Sequence, residues 1–399
     1  MAFFLDGVGM EIFKSILFAF LFLGSTLEIR AASAWTLRNP LPTPSDLYSV
    51  NWTGTRFVAV GSEGSILSST DGVHWALQSS GTTWALRSSV WTGSRVVAVG
   101  DFGTILSSPD GLAWTTLNSG VANHFSSVVT NGKDLVAFGD GGSVLTSPDG
   151  LNWTAHAAPT ANGLSAEVWN GTQWVSVGLG GILKTSQDGI AWTQVSASLT
   201  SVPITDVVWM ENQAVAITDW NIALLSPEGN SWSVARNISD TYALASVIWN
   251  GKQLLAVGDD GVVLTSLDGK TWTKQKGAPP KSYTSVAWTG NRYVATCYVD
   301  SLIATSPDGI TWAAENVGSA QSLLSVAWTG TQLIVVGGHG SIFTSGNATS
   351  KVASPSARAG KKATIRFNGS RLVLTLPDAG LGESVGAVVY TLTGLQARF

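Results

Sequence analysis

Eight tryptophans recur along this chain at intervals of 39 or 40 residues: Trp35, Trp75, Trp114, Trp153, Trp192, Trp232, Trp272 and Trp312. Most end the same short phrase, as in Ser69-Thr70-Asp71-Gly72-Val73-His74-Trp75 and Ser108-Pro109-Asp110-Gly111-Leu112-Ala113-Trp114. A fixed period of this length means one supersecondary unit copied many times. Within the first unit, Tyr48–Trp52, Arg56–Val60, Ser65–Ser69 and Trp75–Gln78 are short apolar or β-branched runs, separated by Thr53-Gly54, Gly61-Ser62-Glu63-Gly64 and Asp71-Gly72. Such runs between glycine-containing turns read as antiparallel strands. Four strands in about 40 residues is the grammar of a propeller blade.

The first three strands recur eight times, ending near residues 70, 109, 148, 187, 227, 267, 307 and 345. The eighth unit has no fourth strand of its own, whereas Trp35-Thr36-Leu37-Arg38 is an orphan. The expected fold is therefore an all-β propeller of eight four-stranded blades over residues 35–350, closed by the N-terminal strand in the last blade. Closure of this kind leaves no exposed sheet edge. A seven-blade ring with an irregular extra unit is the alternative.

The flanks differ in character. Lys14 precedes an apolar run from Ile16 to Leu23, and Ala32-Ser33-Ala34 supplies small residues just before Trp35. This reads as a signal peptide over residues 1–34, and hence secretion or display at the cell surface. Residues 1–9 carry no cation and do not fit that pattern, which leaves Met10 as an alternative start. An uncleaved anchor is the other reading, but the apolar run is short for a bilayer. Residues 351–362 are rich in Ser, Ala, Gly and Lys and read as a linker. Residues 363–399 read as a small β appendage.

Composition excludes several classes of function. Charged residues make up 12% of the chain and the net charge is −4, so nothing suggests a nucleic-acid partner. Cys297 is the only cysteine, so no disulfide can form within the chain. His74, His124, His156 and His339 lack metal-ligand spacing, and we expect neither metal nor cofactor. No membrane span is expected once the signal is removed, and the ring is expected to be a monomer.

The repeated phrase has its acidic residue at Asp71, Asp110, Asp149, Asp188, Glu228, Asp268 and Asp308. Its carboxylate can accept N–H groups of its own turn while Gly supplies the positive φ. Seven symmetric copies suit a structural role better than catalysis. The phrase resembles the Asp-box, or bacterial neuraminidase repeat, although every copy is one residue shorter between Asp and Gly. Residues 35–347 resemble Asp-box propellers, including photosystem II assembly-factor-like repeat proteins. That resemblance implies the fold and leaves the function open, since it also embraces sialidases, xyloglucanases and adhesive modules. The arginine triad that sialidase activity implies is missing: Arg56, Arg95 and Arg292 are all repeat positions after the first hairpin turn. At the C-terminus, Phe367–Leu374 and Val389–Gly394 resemble the opening strands of bacterial secretion-sorting domains, which implies an exported protein.

Because strands alternate in direction, the second turn of each blade and the crossovers between blades must lie opposite the Asp-containing turns. The second turns hold Glu63, Asp101, Asp140, Asp219, Asp259, Asp260, Asp300 and His339, and the crossovers hold Trp84, His124, Phe125, Tyr242 and Tyr283. Blades five and seven replace the usual turn glycine with Thr218 and Cys297 and gain Trp220 and Tyr298. That asymmetry selects Asp219, Trp220, Tyr242, Asp259, Asp260, Tyr283, Tyr298 and Asp300 as candidate ligand-binding residues. The expected function is non-enzymatic binding of a protein or polysaccharide. The alternative is a glycoside hydrolase, which needs two carboxylates roughly 5–9.5 Å apart across a cleft.

Overall fold

The computed structural model describes residues 35–38, 41–156, 163–195, 199–220, 222–237, 243–297, 302–317, 322–330 and 332–345. It also gives the backbone of four C-terminal strands. The expected signal peptide at 1–34, the linker at 351–362, and Tyr242, Tyr298 and Asp300 lie outside the described residues. Residues 34–348 form one compact unit. The C-terminal strands pair as two hairpins, Thr364–Asn368 with Arg371–Thr375 and Val388–Tyr390 with Gln396–Arg398.

Eight four-stranded antiparallel sheets make an eight-bladed propeller. Blade one is Leu47–Trp52, Phe57–Gly61, Ile66–Ser69 and Ala76–Gln78. The first strand of each blade lies innermost, against the first strands of both neighbours. In blade eight the outermost strand is Trp35–Leu37, which pairs with Phe343–Ser345 through Trp35–Ser345, Thr36–Thr344 and Leu37–Phe343. Trp35 is buried with Leu323, Leu333, Val335 and Phe343. The first residues of the described chain and its last unit thus share one sheet.

The second strands, such as Phe57–Gly61 and Val96–Gly100, are buried at every position. Both faces of each blade therefore meet an apolar neighbour. One core cluster joins Phe57, Ala59 and Leu67 of blade one to Ile334 and Val336 of blade eight. Another joins Val97 and Val99 of blade two to Phe125 and Ala137 of blade three.

Polar side chains on the innermost strands stitch the blades around the axis. The backbone N–H groups of Val50, Ser89 and Val128 donate to the hydroxyls of Ser325, Ser49 and Ser88, each in the preceding blade, at 3.2–3.3 Å. Blade five carries Asp206 at the position of these serines. Its two oxygens accept the N–H of Val207 and of Val247 in blade six, both at 2.8 Å. Burial nevertheless pushes the Asp206 carboxyl up to about 6.

The Ser-x-Asp-Gly-x-x-Trp turns share one geometry. In blade three, Asp149 Oδ1 accepts the N–H groups of Leu151 and Asn152, each at 2.8 Å, and the hydroxyl of Ser147 at 3.1 Å. Gly150 has φ of 72°, and a Cβ there would meet Arg95 of blade two at 2.8 Å. The turn is thus clamped by the preceding blade. Gln173, Gln213 and Gln253 extend the clamp by donating to the carbonyls of Glu228, Asp268 and Asp308 in the following blade. Arg95 packs on the next turn and donates to Ser107, which makes it a clamp of the repeat. Arg56 does the same with Gly111 and Ser68.

Glu228 departs from the acidic set in which the repeated phrase places it. Its backbone has φ of 59°, and Ser226 accepts the N–H of Ser231 in place of the usual glycine N–H. The left-handed backbone sets Glu228 apart from the aspartates of the other turns; Pro227 does not, since Pro148 precedes Asp149 in the same way.

Two outcomes follow. A chain beginning at residue 41 should melt well below the full chain, because blade eight would expose an unpaired edge; equal melting temperatures would count against the closure. Asp149→Ala should cost about 1–2 kcal/mol in denaturant unfolding, in the range of a lost side-chain cap, whereas Glu228→Ala should change stability by less than about 0.5 kcal/mol. Asp149 is held down at about 2 by the N–H groups of Asn152 and Leu151. Its contribution is therefore complete above the usual carboxylate range and fades as pH falls toward 2.

Candidate functional site

The second turns and the crossovers lie together on one face. In blades one, two, six and eight the second turn is a tight turn that places a non-glycine middle residue in the left-handed region: Glu63 at φ 54°, Phe102 at 53°, Asp260 at 52° and His339 at 52°. Such values are uncommon outside glycine. The following Gly64 and Gly103 are fixed by contact, since a Cβ at either would fall within about 2.0 Å of a crossover carbonyl, that of Thr82 or Val121. Each turn is thereby held down on its crossover, and its middle side chain is presented outward.

Over blades one to three this geometry builds a continuous cluster. Trp84, on the crossover from blade one to blade two, packs against Phe102 with ring centroids 4.1 Å apart and the planes tilted by 45°. Phe102 packs against His124 of the next crossover at 4.6 Å. Beneath the rings, Arg87 donates through Nε and Nη2 to the two oxygens of Asp101, at 2.8 and 3.0 Å. His124 Nδ1 lies 3.1 Å from Asp101 Oδ1. The Arg87 guanidinium stands 5.5 Å from the centroid of the Tyr48 ring. Hydrogen bonding from Arg87 holds the Asp101 carboxyl below its ordinary range, and the same bond raises Arg87. A carboxylate paired in this way is a poor proton acceptor, and its evident role is to fix Arg87 and His124.

Trp84 and Phe102 remain half exposed, at 48% and 50%. Trp84 also borders a cavity of about 750 Å³ walled by Thr43, Ser45, Glu63, Ser80 and Thr82. There Glu63 Oε2 accepts the Ser45 hydroxyl at 3.1 Å. Glu63 and Asp140, on the second turns of blades one and three that flank the shelf, make no ion pair among the described residues; nor do Asp219, Asp259 and Asp260 in blades five and six.

The residues selected from sequence fare differently. Asp219 and Trp220 lie on the second turn of blade five, and Trp220 is 69% exposed. Asp259 and Asp260 occupy the second turn of blade six. Tyr283 does not reach the surface. It is 1% exposed, packs with Val286, Tyr293 and Cys297, and donates its hydroxyl to the Pro279 carbonyl at 3.1 Å. It is the first residue of an innermost strand, whose equivalents Leu47, Leu86 and Phe125 are core, so its register buries it. The departures at Thr218 and Cys297 also have internal explanations. The Thr218 hydroxyl closes its turn by accepting the N–H groups of Trp220 and Ile222, and Cys297 is core.

Sequence reading named Trp84, Asp101 and His124 as rim residues and left them out of the selected set, and it did not single out Phe102, Arg87 or Tyr48 for this face. The available signal was Phe102, an aromatic where the equivalent turns carry Glu63 or Gly141. Among the described residues no group of three or more His, Cys, Asp and Glu is placed to hold a metal ion. No helix there is long and apolar enough to cross a membrane.

This architecture defines the chain as an eight-bladed β-propeller. No family model matches it, and no curated protein matches it. Solved propellers do, at the level of fold. YCF48 bound to a D1 peptide matches with 15% identity and a TM-score of 0.54, covering 81% of this chain and 98% of its own. Sqt1 of Chaetomium thermophilum, bound to the N-terminus of ribosomal protein L10, matches with 11% identity and a TM-score of 0.64, covering 77% and 98%. The computationally designed propeller Ika8 matches with 13% identity and a TM-score of 0.64, covering 75% and 96%.

The contrast between two aromatics is testable. Trp220→Ala should leave the melting temperature within about 1 °C, as for an exposed side chain, whereas Tyr283→Ala should lower it by several degrees, as for a core truncation.

Proposed function

We propose that this protein is a partner-binding propeller that docks a protein segment on its second-turn face. The observation that carries the reading is the half-exposed Trp84–Phe102–His124 cluster, fixed from below by Arg87 and Asp101. Large aromatics held rigid by their surroundings give much contact area at little entropic cost, which is how anchor residues at interfaces work. The carboxylates of Glu63 and Asp140 beside the shelf favour a segment that carries lysine or arginine beside an apolar side chain, since complementary charge raises the rate of encounter and selects against acidic partners. Two of the solved propellers of this fold were determined with a bound peptide or protein terminus, D1 for YCF48 and L10 for Sqt1. Their low identity lends this proposal the fold alone.

Secretion through the segment at residues 1–34 belongs to the proposal, as does a monomeric ring of the Asp-box kind with a sorting-like C-terminus. A glycan is the second candidate ligand, because the exposed indole of Trp220 beside Asp219 could stack on a sugar face. Hydrolysis is not favoured, since Asp101, the acid best placed among the aromatics, is committed to Arg87 and His124.

The test is to present the full chain to peptide arrays of basic and acidic sequence and to a glycan array, alongside Trp84→Ala and Phe102→Ala. Binding should be to basic, apolar-bearing peptides. Each substitution should weaken it about tenfold or more with the melting temperature unchanged, in the range of interface anchors. Binding that ignores both substitutions, or that is confined to glycans and lost in Trp220→Ala, would overturn the reading.

A further inference from the structure

Three residues in each blade form a straight row that faces the preceding blade. The row joins the fourth position of the innermost strand to its partners on the second and third strands. In blades one, three, five and six it reads Val50–Ala59–Leu67, Val128–Ala137–Leu145, Val207–Ala216–Leu224 and Val247–Ala256–Leu264. In blade four it reads Glu167–Ser176–Lys184. One apolar row of the ring has therefore been replaced by an acid, a hydroxyl and an amine.

That row looks onto blade three. Trp174 shares a face with Ser176, two residues away on the same strand. Trp174 packs on Val136, Phe138 and Val144 of blade three. Three side-chain atoms on this wall are buried and meet no hydrogen-bond partner in the protein: Glu167 Oε1, Ser176 Oγ and Trp174 Nε1. Ser176 is completely buried. Buried hydroxyls without a partner are rare in folded proteins, and three unpaired groups together point to something that pairs with them.

A second observation concerns the backbone. The innermost strands of blades three and four approach one another over a shorter stretch than any other neighbouring pair in the ring. Here the Ser127 hydroxyl of blade three hydrogen-bonds the Glu167 carboxyl, and Oε1 is left without a partner in the protein. At other seams the equivalent Ser49 and Ser88 accept a backbone N–H from the next blade. An acid, a hydroxyl and an amine thus line this seam, and Ser127 meets the acid.

We propose that the seam between blades three and four is an internal hydration site, in which one or two bound water molecules bridge Glu167, Ser176 and Trp174. Water is the ligand class that fits. The indole N–H only donates, the carboxyl and hydroxyl can accept, and a single water accepts from the first while donating to the others. Side chains directly opposite in an antiparallel pair have Cβ atoms about 5 Å apart, which lets one water contact Glu167 and Ser176 together. Internal waters typically make about three such bonds.

Ionisation supplies a further readout. Burial pushes the Glu167 carboxyl up to about 8, with Asp206 of blade five raising it and Ser127 opposing. Lys184 of the same row and His156, 2.7 Å from Thr146 of blade three, are the other titratable groups on this side. A carboxyl raised in the fold binds its proton more tightly there than in the unfolded chain. Its contribution to stability is therefore complete below the ordinary carboxylate range and declines as pH rises toward 8.

The experiment is a high-resolution crystal structure of the full chain, with melting curves from pH 5 to 8 for the wild type and for the triple substitution E167V, S176A and K184L, which restores the neighbours' row. Ordered water should lie within hydrogen-bond distance of Ser176 Oγ and Glu167 Oε1. The triple variant should lose it, melt several degrees higher and lose the component of the pH dependence that Glu167 contributes. A dry seam in the wild type, or a folded triple variant that melts several degrees lower, would overturn the proposal. If the triple variant does not fold, Glu167→Gln decides: it should keep the water and flatten the fall in melting temperature across pH 5–8, and an unaltered fall would reject the assignment.

Discussion

Each blade is a twisted sheet with two apolar faces, and the rest of the structure depends on covering both at once. A sheet whose second strand is buried at every position, such as Phe57–Gly61, cannot stand with one side in water. Packing it against copies of itself on both sides satisfies that demand, and a ring does so without ends. Antiparallel pairing of Trp35–Leu37 with Phe343–Ser345 then makes the ring covalently discontinuous only within a sheet, where backbone hydrogen bonds bridge the break. The demand for neighbours also explains why the Ser-x-Asp-Gly-x-x-Trp turns repeat so faithfully. Each is gripped by the preceding blade, through Arg56, Arg95 or a glutamine, or in blade four through Val136 and Thr146, so a poor turn would spoil two blades.

This division of labour leaves one face free. At the clamped face, turn residues are committed to their neighbours. At the opposite face, backbone contact fixes the glycine that follows the middle residue of the second turn: the carbonyls of Thr82 and Val121 press against Gly64 and Gly103. The middle side chain of each turn is thus released from structural duty and can vary between Glu63, Phe102, Gly141, Asp260 and His339. A rigid frame with unconstrained tips is a suitable surface on which to evolve recognition. The aromatic shelf of blades one to three occupies such tips together with the crossovers between them.

Interior asymmetry follows a different logic. Asp206 takes the place of a serine in the axial stitching and keeps both oxygens hydrogen-bonded to backbone N–H groups. In the Glu167–Ser176–Lys184 row, one oxygen of Glu167 and the hydroxyl of Ser176 are buried without a hydrogen-bond partner in the protein. Symmetric copies make these exceptions conspicuous: a serine stands where Asp206 does in blades one, two and eight, and valine stands where Glu167 does in blades one, three, five and six.

The period of the tryptophans, the three short runs per unit and the orphan strand at Trp35 pointed to the blades, to eight as their expected number and to the closure, since all of these depend on local pattern and on counting; the eight sheets themselves removed the seven-blade alternative. The side of the ring on which each turn lies was also legible, from strand alternation. The sector of the binding face was not. Tyr283 looks like a crossover aromatic in sequence, yet one step of register makes it the first residue of an innermost strand and buries it. Trp84, Phe102 and His124 are separated by 18 and 22 residues, and only the stacking of successive blades brings their rings within 4.1 and 4.6 Å. Glu167 reads as an ordinary strand residue until its cross-strand partners Ser176 and Lys184 align it into a buried row. Sequence alone determined the repeated unit, because the forces that shape a hairpin act over a few residues. Tertiary structure alone decided which side chains from different units meet, because that depends on how one sheet is rotated and packed against the next.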